Sequence, residues 1–234
     1  MAVRFDALDE TFIRSTNLPT NTAFTMMGWF MISVDRNDYS TFLSYGTSVG
    51  TNKKTLQTGA DGVTLTLWDG LAEDAGTTLS VGTWYHITLT HDGTTPRGYL
   101  NGVLDVSGTN IVDPLTSIEV GRSENSEWLN GRAAAIKIYS AVLTTDEMLQ
   151  EMRQYLPVRT ANINSWFPLF NTTPIADYSG NAFDFGFGGG SITVEDGPPI
   201  PWKAGRQRIL IPPAAAGGGP VIPVFMNQYR QRRN

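Results

Sequence analysis

The chain has 234 residues and no cysteine, with 41% hydrophobic and 17% charged residues and 24 glycines. That length can bury a core. The low charge and many glycines suit a sheet protein with frequent turns rather than a helix bundle. Absence of cysteine excludes a disulfide framework and thiolate metal sites. The net charge of −5 is unevenly split: residues 1–196 hold 11 Lys/Arg and 22 Asp/Glu, residues 197–234 hold 6 Lys/Arg and no acid. This divides the chain into an acidic body, 1–196, and a basic arm, 197–234.

The N-terminal MAVRFDALDETF has no apolar stretch of the kind a signal peptide needs, so no signal peptide is expected. No apolar run reaches the ~18 residues of a membrane span. FTMMGWFMIS (24–33) reads as a strand apolar on both faces, with Phe24, Met26, Phe30 and Ile32 on one and Met27, Trp29 and Met31 on the other. Something must cover the second face: the helix further along the chain, the arm, or a sister subunit. On this ground a homo-oligomer is expected.

GVTLTLWDG (62–70) alternates with period two. Val63, Leu65 and Leu67 point one way and Thr64, Thr66 and Trp68 the other. TWYHITLTHDG (83–93) alternates likewise, setting Tyr85, Ile87 and Leu89 against Trp84, His86, Thr88 and Thr90. Asn101-Gly102 is the pair a two-residue hairpin turn favours, because both positions take positive φ. LTTDEMLQEMRQYLP (143–157) is the one clear helix, with Thr144 and Glu147 at capping-box spacing, Met148, Met152 and Tyr155 at helical spacing, and Pro157 as the stop. INSWFPLF (163–170) and FDFGFGGGSITV (183–194) read as further strands. Many short strands with one helix predict an all-β sandwich.

The order of these pieces resembles the laminin-G-like, concanavalin A-like lectin/glucanase jelly rolls. AVRFDALDETFI leads into FTMMGWFMIS, TWYHITLTHDG into YLNG, and IEVGRSENSEWLNGRAAAIKIYSAVLTTDEM into the short helix, with DYSGN (177–181) as a further turn. The resemblance covers about residues 2–195. It implies a jelly-roll β-sandwich of two antiparallel sheets, with ligand sites on the concave face or in rim loops.

The chemistry of the body is sparse. Glucanases of this fold carry a Glu-x-Asp-x-x-Glu strand, and that pattern is absent here. The pairs Asp9-Glu10, Glu73-Asp74, Asp146-Glu147 and Glu195-Asp196 read as turn, cap and surface charges. His86 and His91 should point to opposite faces of one strand and so cannot share a metal. GFGGG (186–190) lacks the spacing of a phosphate loop. Asp35, Asp38, Asp61, Asp69 and Asp74 have hard oxygens suited to calcium, but no spacing organises them, and no cofactor is expected. For sugar binding, the candidates are the polar strand face of Thr64, Thr66 and Trp68 with the adjacent Asp69, and the loop carrying Asn125 and Trp128.

The arm holds seven of the thirteen prolines, which exclude a helix or central strand. Its apolar segments, with Ile209, Leu210 and Ile211, then Val221, Ile222, Phe225, Tyr229 and Arg230, are separated by a Pro/Ala/Gly spacer. Sticky segments on spacers suit strand addition to a neighbour. Small lectin-like domains with such tails resemble phage structural proteins. The expectation is therefore a non-enzymatic structural or decoration protein of a larger particle, most simply a bacteriophage virion. It would sit at the particle surface, held to other subunits by the arm, with its body free to bind cell-surface glycans. No membrane or nucleic-acid partner is expected. A free carbohydrate-binding module or adhesin is the alternative, and a glycoside hydrolase comes third.

Overall fold

The computed structural model describes residues 1–6, 11–19, 23–46, 53–109, 116–123, 127–169, 176–189 and 193–200. Asn125 and the proposed arm anchors from Ile209 to Arg230 lie outside them.

The described body is an all-β sandwich of two antiparallel sheets with one short helix. The eight-stranded sheet contains β1 (Ala2–Asp6), β3 (Ala23–Ile32), β8 (Tyr85–Asp92), β9 (Pro96–Leu100), β10 (Val103–Ser107), β12 (Asn130–Tyr139), β13 (Ile163–Phe167) and β15 (Thr193–Glu195). Its order is β10-β9-β8-β3-β12-β1-β15, and β13 also pairs with β12. The seven-stranded sheet contains β2 (Thr11–Arg14), β4 (Thr41–Gly46), β5 (Lys53–Thr58), β6 (Thr64–Trp68), β7 (Glu73–Thr78), β11 (Ile118–Val120) and β14 (Gly186–Gly188). Its order is β14-β2-β11-β4-β5-β6-β7.

Between the sheets, the inward residues of each strand interdigitate as alternation requires. Phe24, Met26, Phe30 and Ile32 of β3 meet Phe42 and Leu43 of β4, Leu56 of β5 and Leu65 and Leu67 of β6. Ile87 and Leu89 join from β8. Gly28 leaves room for the Ile136 side chain, which an added Cβ would strike. At the hairpin between β9 and β10, Asn101 has φ 51° and Gly102 φ 82°, the backbone expected of that pair.

The second apolar face of β3 is covered from within the chain. Met27 packs with Tyr139, Leu143 and Met148. Trp29 packs with Ala134, Ala135 and Tyr155, flanked by Met152 and Ile200, and its indole N–H donates to the Met152 carbonyl at 3.0 Å. The helix and the turn that follows it supply this cover, so Met27 and Trp29 give no argument for a sister subunit. A bulge between Ala134 and Lys137, with Ala135 at φ 52°, turns two successive alanines outward beneath the tyrosine.

The helix itself is shorter than its periodicity suggests. α1 spans Thr145–Glu151, with the expected capping box between Thr144 and Glu147. It stops before Pro157 because the buried Lys137 ammonium gathers the chain beyond it. Lys137 Nζ donates to the Glu151 carboxylate at 2.7 Å and to the carbonyls of Glu151, Gln154 and Leu156 at 2.8, 3.0 and 3.2 Å. Carbonyls converging on one point cannot also lie parallel along a helix axis. The two histidines of β8 face opposite ways: His86 meets Trp29 edge-on, while His91 stacks on Phe24.

Candidate functional site

The two outer faces of the sandwich differ in kind. The eight-stranded sheet is roofed by α1 and apolar side chains. The seven-stranded sheet turns polar residues outward. β5 places Leu56 in the core, so Lys53, Thr55 and Gln57 point away from it. Strand register then lines up one row across the sheet. Ile13 is opposite Glu119, Glu119 opposite Ser44, Ser44 opposite Thr55, Thr55 opposite Trp68, and Trp68 opposite Glu73. Gln57 and Thr66 pair in the next row.

The floor of this face is buried and its rim open. Lys53, Ser44, Thr55, Gln57, Thr66 and Glu119 are buried, Trp68, Tyr39 and Glu127 are half-buried, and Asp38 and Glu73 are exposed. Lys53 Nζ and Glu119 Oε1 form an ion pair at 3.2 Å within the floor. The Ser44 hydroxyl donates to the Arg122 carbonyl, and the Thr41 hydroxyl donates to Gln57 Oε1 at 3.4 Å. One group is left over: the Thr55 hydroxyl is 1% exposed by residue and has no hydrogen-bond partner. A buried hydroxyl without a partner is costly unless a bound molecule or water completes it.

The rim is acidic. Burial pushes the Glu127 carboxyl above its ordinary value; a hydrogen bond from Ser123 and the Lys53 charge pull it down, and Asp38 and Glu73 add to the rise. The Tyr39 phenol is raised, chiefly by Glu73, then by burial, Glu127 and Asp38.

The sequence candidates divide on this geometry. Thr66 and Trp68 stand on the polar face. Thr64 stands at its edge, where its hydroxyl donates to Asp61 Oδ2 at 2.5 Å. Asp69 is buried, and its two oxygens accept the backbone N–H groups of Leu71, Ala72 and Thr109 at 2.9 Å each, so it organises a loop. Trp128 lies under the Arg122 guanidinium, 4.6 Å from the ring centroid, and its carbonyl accepts from Arg36 at 3.4 Å. Asn125 lies outside the described residues. Sequence reading missed Ser44, Lys53, Thr55, Gln57 and Glu119, because KKTLQT has one inward apolar residue and little visible alternation.

The aspartates considered for calcium are engaged, Asp74 across the two sheets and the others chiefly in their own turns. Asp35 accepts from Asn37 N, Asp38 from Tyr39 N, Asp61 from Val63 N and Thr64 N, and Asp74 from Ser107 N. Among the described residues no group of three His, Cys, Asp or Glu side chains could hold a metal ion. Nor is any described helix long and apolar enough to cross a membrane.

Residues 9–148 match the family model described as the concanavalin A-like lectin/glucanases superfamily. The chain belongs to this superfamily. Solved structures agree on the fold. A candidate carbohydrate-binding protein from Bacteroides ovatus superposes with a TM-score of 0.66 at 18% identity, over 86% of this chain and 61% of that one. This chain therefore spans about three fifths of that protein's length. Domain 4 of AbnA, an extracellular arabinanase from Geobacillus stearothermophilus solved with arabinotriose, superposes with a TM-score of 0.53 at 19% identity, over 64% of this chain and 75% of that one. No curated protein matches the sequence. The lectin-like superfamily fold is thus common to this chain and to domains that differ from it in most of their residues.

Proposed function

We propose that this member of the superfamily is a non-enzymatic lectin-like subunit that binds a glycan on the outer face of its seven-stranded sheet. The observation that carries this is the unpartnered, buried Thr55 hydroxyl in register with the half-buried Trp68. A sugar ring laid on the indole offers C–H groups to its face and hydroxyls to neighbouring polar side chains, the combination an amphipathic ligand needs. Thr55, Gln57 and Thr66 are the buried polar side chains beside the indole, and a hydroxyl reaching the floor would meet them. Glycan-binding relatives of the same fold are consistent with this use, including the arabinanase domain solved with arabinotriose.

Binding is favoured over hydrolysis by where the carboxylates lie. A glycosidase needs two carboxyl groups flanking one bond. On this face β5 and β6 turn out only Lys53, Thr55, Gln57, Thr64, Thr66 and Trp68. Of the two acids in the row through Thr55 and Trp68, Glu119 is tied to Lys53, and Glu73 stands four strands away from it on β7. Glycan-array binding by the intact chain, lost in Trp68→Ala and weakened in Thr55→Val, is the expected result. Unchanged binding in both variants, or release of reducing sugar from a bound glycan, would overturn the reading.

The setting proposed for this domain is the surface of a larger particle, most simply a phage virion. The arm of residues 197–234, with its prolines, its basic charge and its apolar segments, would fasten one copy among several to neighbouring subunits. A free adhesin would use the same sugar face but has no need of such an arm. Limited trypsin digestion separates the two. Rapid loss of the arm from the isolated protein, with the body intact, fits an anchor awaiting its partner. An arm that resists digestion fits a self-contained module.

A further inference from the structure

Among the described residues each sheet ends on two strands, and three of the four are guarded. β10 and β7 are joined where Asp105 accepts from Thr77 N and Asp74 accepts from Ser107 N. β15 carries Glu195, ion-paired with Arg4 and Arg132, and runs into Pro198-Pro199. β14 has none of these devices. It reads Gly-Phe-Gly, without charge or proline, and among the described residues it pairs only with β2. Phe187 packs against the core, and the two glycines have no side chain to screen the backbone. Such a strand lets another backbone come close and is a template for pairing.

The arm starts from a fixed point on the other sheet. Gly197 fits tightly against Met1 and Tyr155, Pro198 is buried, and Ile200 packs beside Trp29 on the outer face of the eight-stranded sheet. Residues 201–208 then lead to Ile209-Leu210-Ile211, an apolar stretch as long as β14. Fully extended, residues 201–208 span ~26 Å. The way from Ile200 to the chain's own β14 crosses β1 and β15 and then the sandwich, roughly 25 Å at ordinary strand and sheet spacings. That leaves no slack to align a strand. A second copy can bring its edge to the arm instead. Charge favours that meeting, because the arm has 6 Lys/Arg and no acid, whereas residues 1–196 have 22 Asp/Glu against 11 Lys/Arg. Asp184 is exposed just before β14.

We infer that residues 209–211 of one copy add as a strand to the β14 edge of a second copy. The inference rests on the reading of the arm as an anchor. A short strand suffices where many copies are packed together, since their effective concentration is high.

The chain has no cysteine, so the contact can be trapped. Full-length Gly186→Cys is mixed with full-length Ile209→Cys, Leu210→Cys or Ile211→Cys under mild oxidation. Facing Cβ atoms of neighbouring strands lie ~5 Å apart, close enough for a disulfide after slight adjustment. At least one mixture should form a covalent dimer roughly tenfold faster than the same arm variant mixed with Val103→Cys, an exposed position on the guarded β10. A second readout needs no change to the body. Raising the parent chain from about 1 to about 100 μM should slow tryptic loss of the arm roughly tenfold. Leu210→Asp should abolish that protection. Cross-linking no faster than with Val103→Cys, or arm loss independent of concentration, would overturn the inference. If arm loss is then rapid throughout, the arm still stands as an anchor for another partner. If it is slow throughout, the arm lies on its own body and the anchor reading falls as well.

Discussion

Asp105 on β10 and Thr77 on β7 belong to different sheets, yet the Asp105 carboxylate accepts both the Thr77 backbone N–H at 2.9 Å and its hydroxyl at 2.6 Å. Asp74 on β7 returns the interaction, accepting from Ser107 N on β10 at 2.7 Å. β10 and β7 are the end strands of their sheets on one side of the sandwich. Each end strand thus has one of its free N–H groups filled by a carboxylate of the other. Gly76 permits this approach, since a Cβ there would meet the Asp105 carboxylate. An open strand edge is a template for pairing with another chain, and charge on the edge discourages that.

The first prediction concerns this staple. Asp74→Ala with Asp105→Ala should uncover both edges and shift the protein toward aggregates, visible by light scattering on warming. The single variants should fall between. A double variant that remains as dispersed as the parent would show that these edges need no such guard.

The buried Lys137–Glu151 pair gives the second. Both side chains are 1% exposed. Burial pulls the Lys137 amine below its ordinary value, although Glu151 opposes this. Lys137→Met leaves Glu151 Oε2 and three carbonyls without their donor, while Oε1 keeps the Val158 and Arg159 N–H groups, at a cost of about 3–5 kcal/mol in urea unfolding. Adding Glu151→Leu should recover part of that loss, because an uncompensated charge is worse than none. No recovery in the double variant would place the energy in the carbonyls and in the Val158 and Arg159 N–H groups that Glu151 serves.

His86 sets the third. Burial, aided by the nearby Lys137 charge, lowers its folded value to about 3. The unfolded chain takes up that proton near pH 6.5, so protonation favours unfolding. Stability should therefore fall as pH drops from about 6.5 toward about 3, by up to a few kcal/mol. His86→Gln should flatten that part of a melting-temperature profile. A profile unchanged by the substitution would show that folding does not lower the proton affinity of His86.

The capping box gives the fourth. Thr144→Ala removes the acceptor for Glu147 N and should cost about 1 kcal/mol. Because α1 roofs Met27, the loss should also speed hydrogen exchange in the middle of β3. Exchange confined to the helix would show that the roof and the strand open independently.

Local chemistry in the sequence carried much of this fold. The two apolar faces of FTMMGWFMIS, the Asn101-Gly102 turn and the Thr144–Glu147 box each follow from neighbours a few residues apart, and each is found as expected. The sugar face is different in origin. Thr55 meets Ser44 and Trp68, and Ser44 meets Glu119, only through strand register set by distant pairings. Trp68 and Thr66 were visible because β6 alternates, whereas β5 hides its outward Lys53, Thr55 and Gln57 around a single inward leucine. The end of α1 was equally hidden. It depends on Lys137, a residue of β12, drawing in carbonyls that local periodicity assigns to a longer helix.

The most direct test of the sugar face is to map a bound oligosaccharide by amide chemical-shift perturbation, using whichever glycan the array identifies. The account predicts shifts concentrated at Ser44, Thr55, Gln57, Thr66, Trp68 and Glu73, on adjoining strands of the seven-stranded sheet. Shifts confined to the loop around Trp128, or to the helix-covered sheet, with β5 and β6 unmoved, would contradict it.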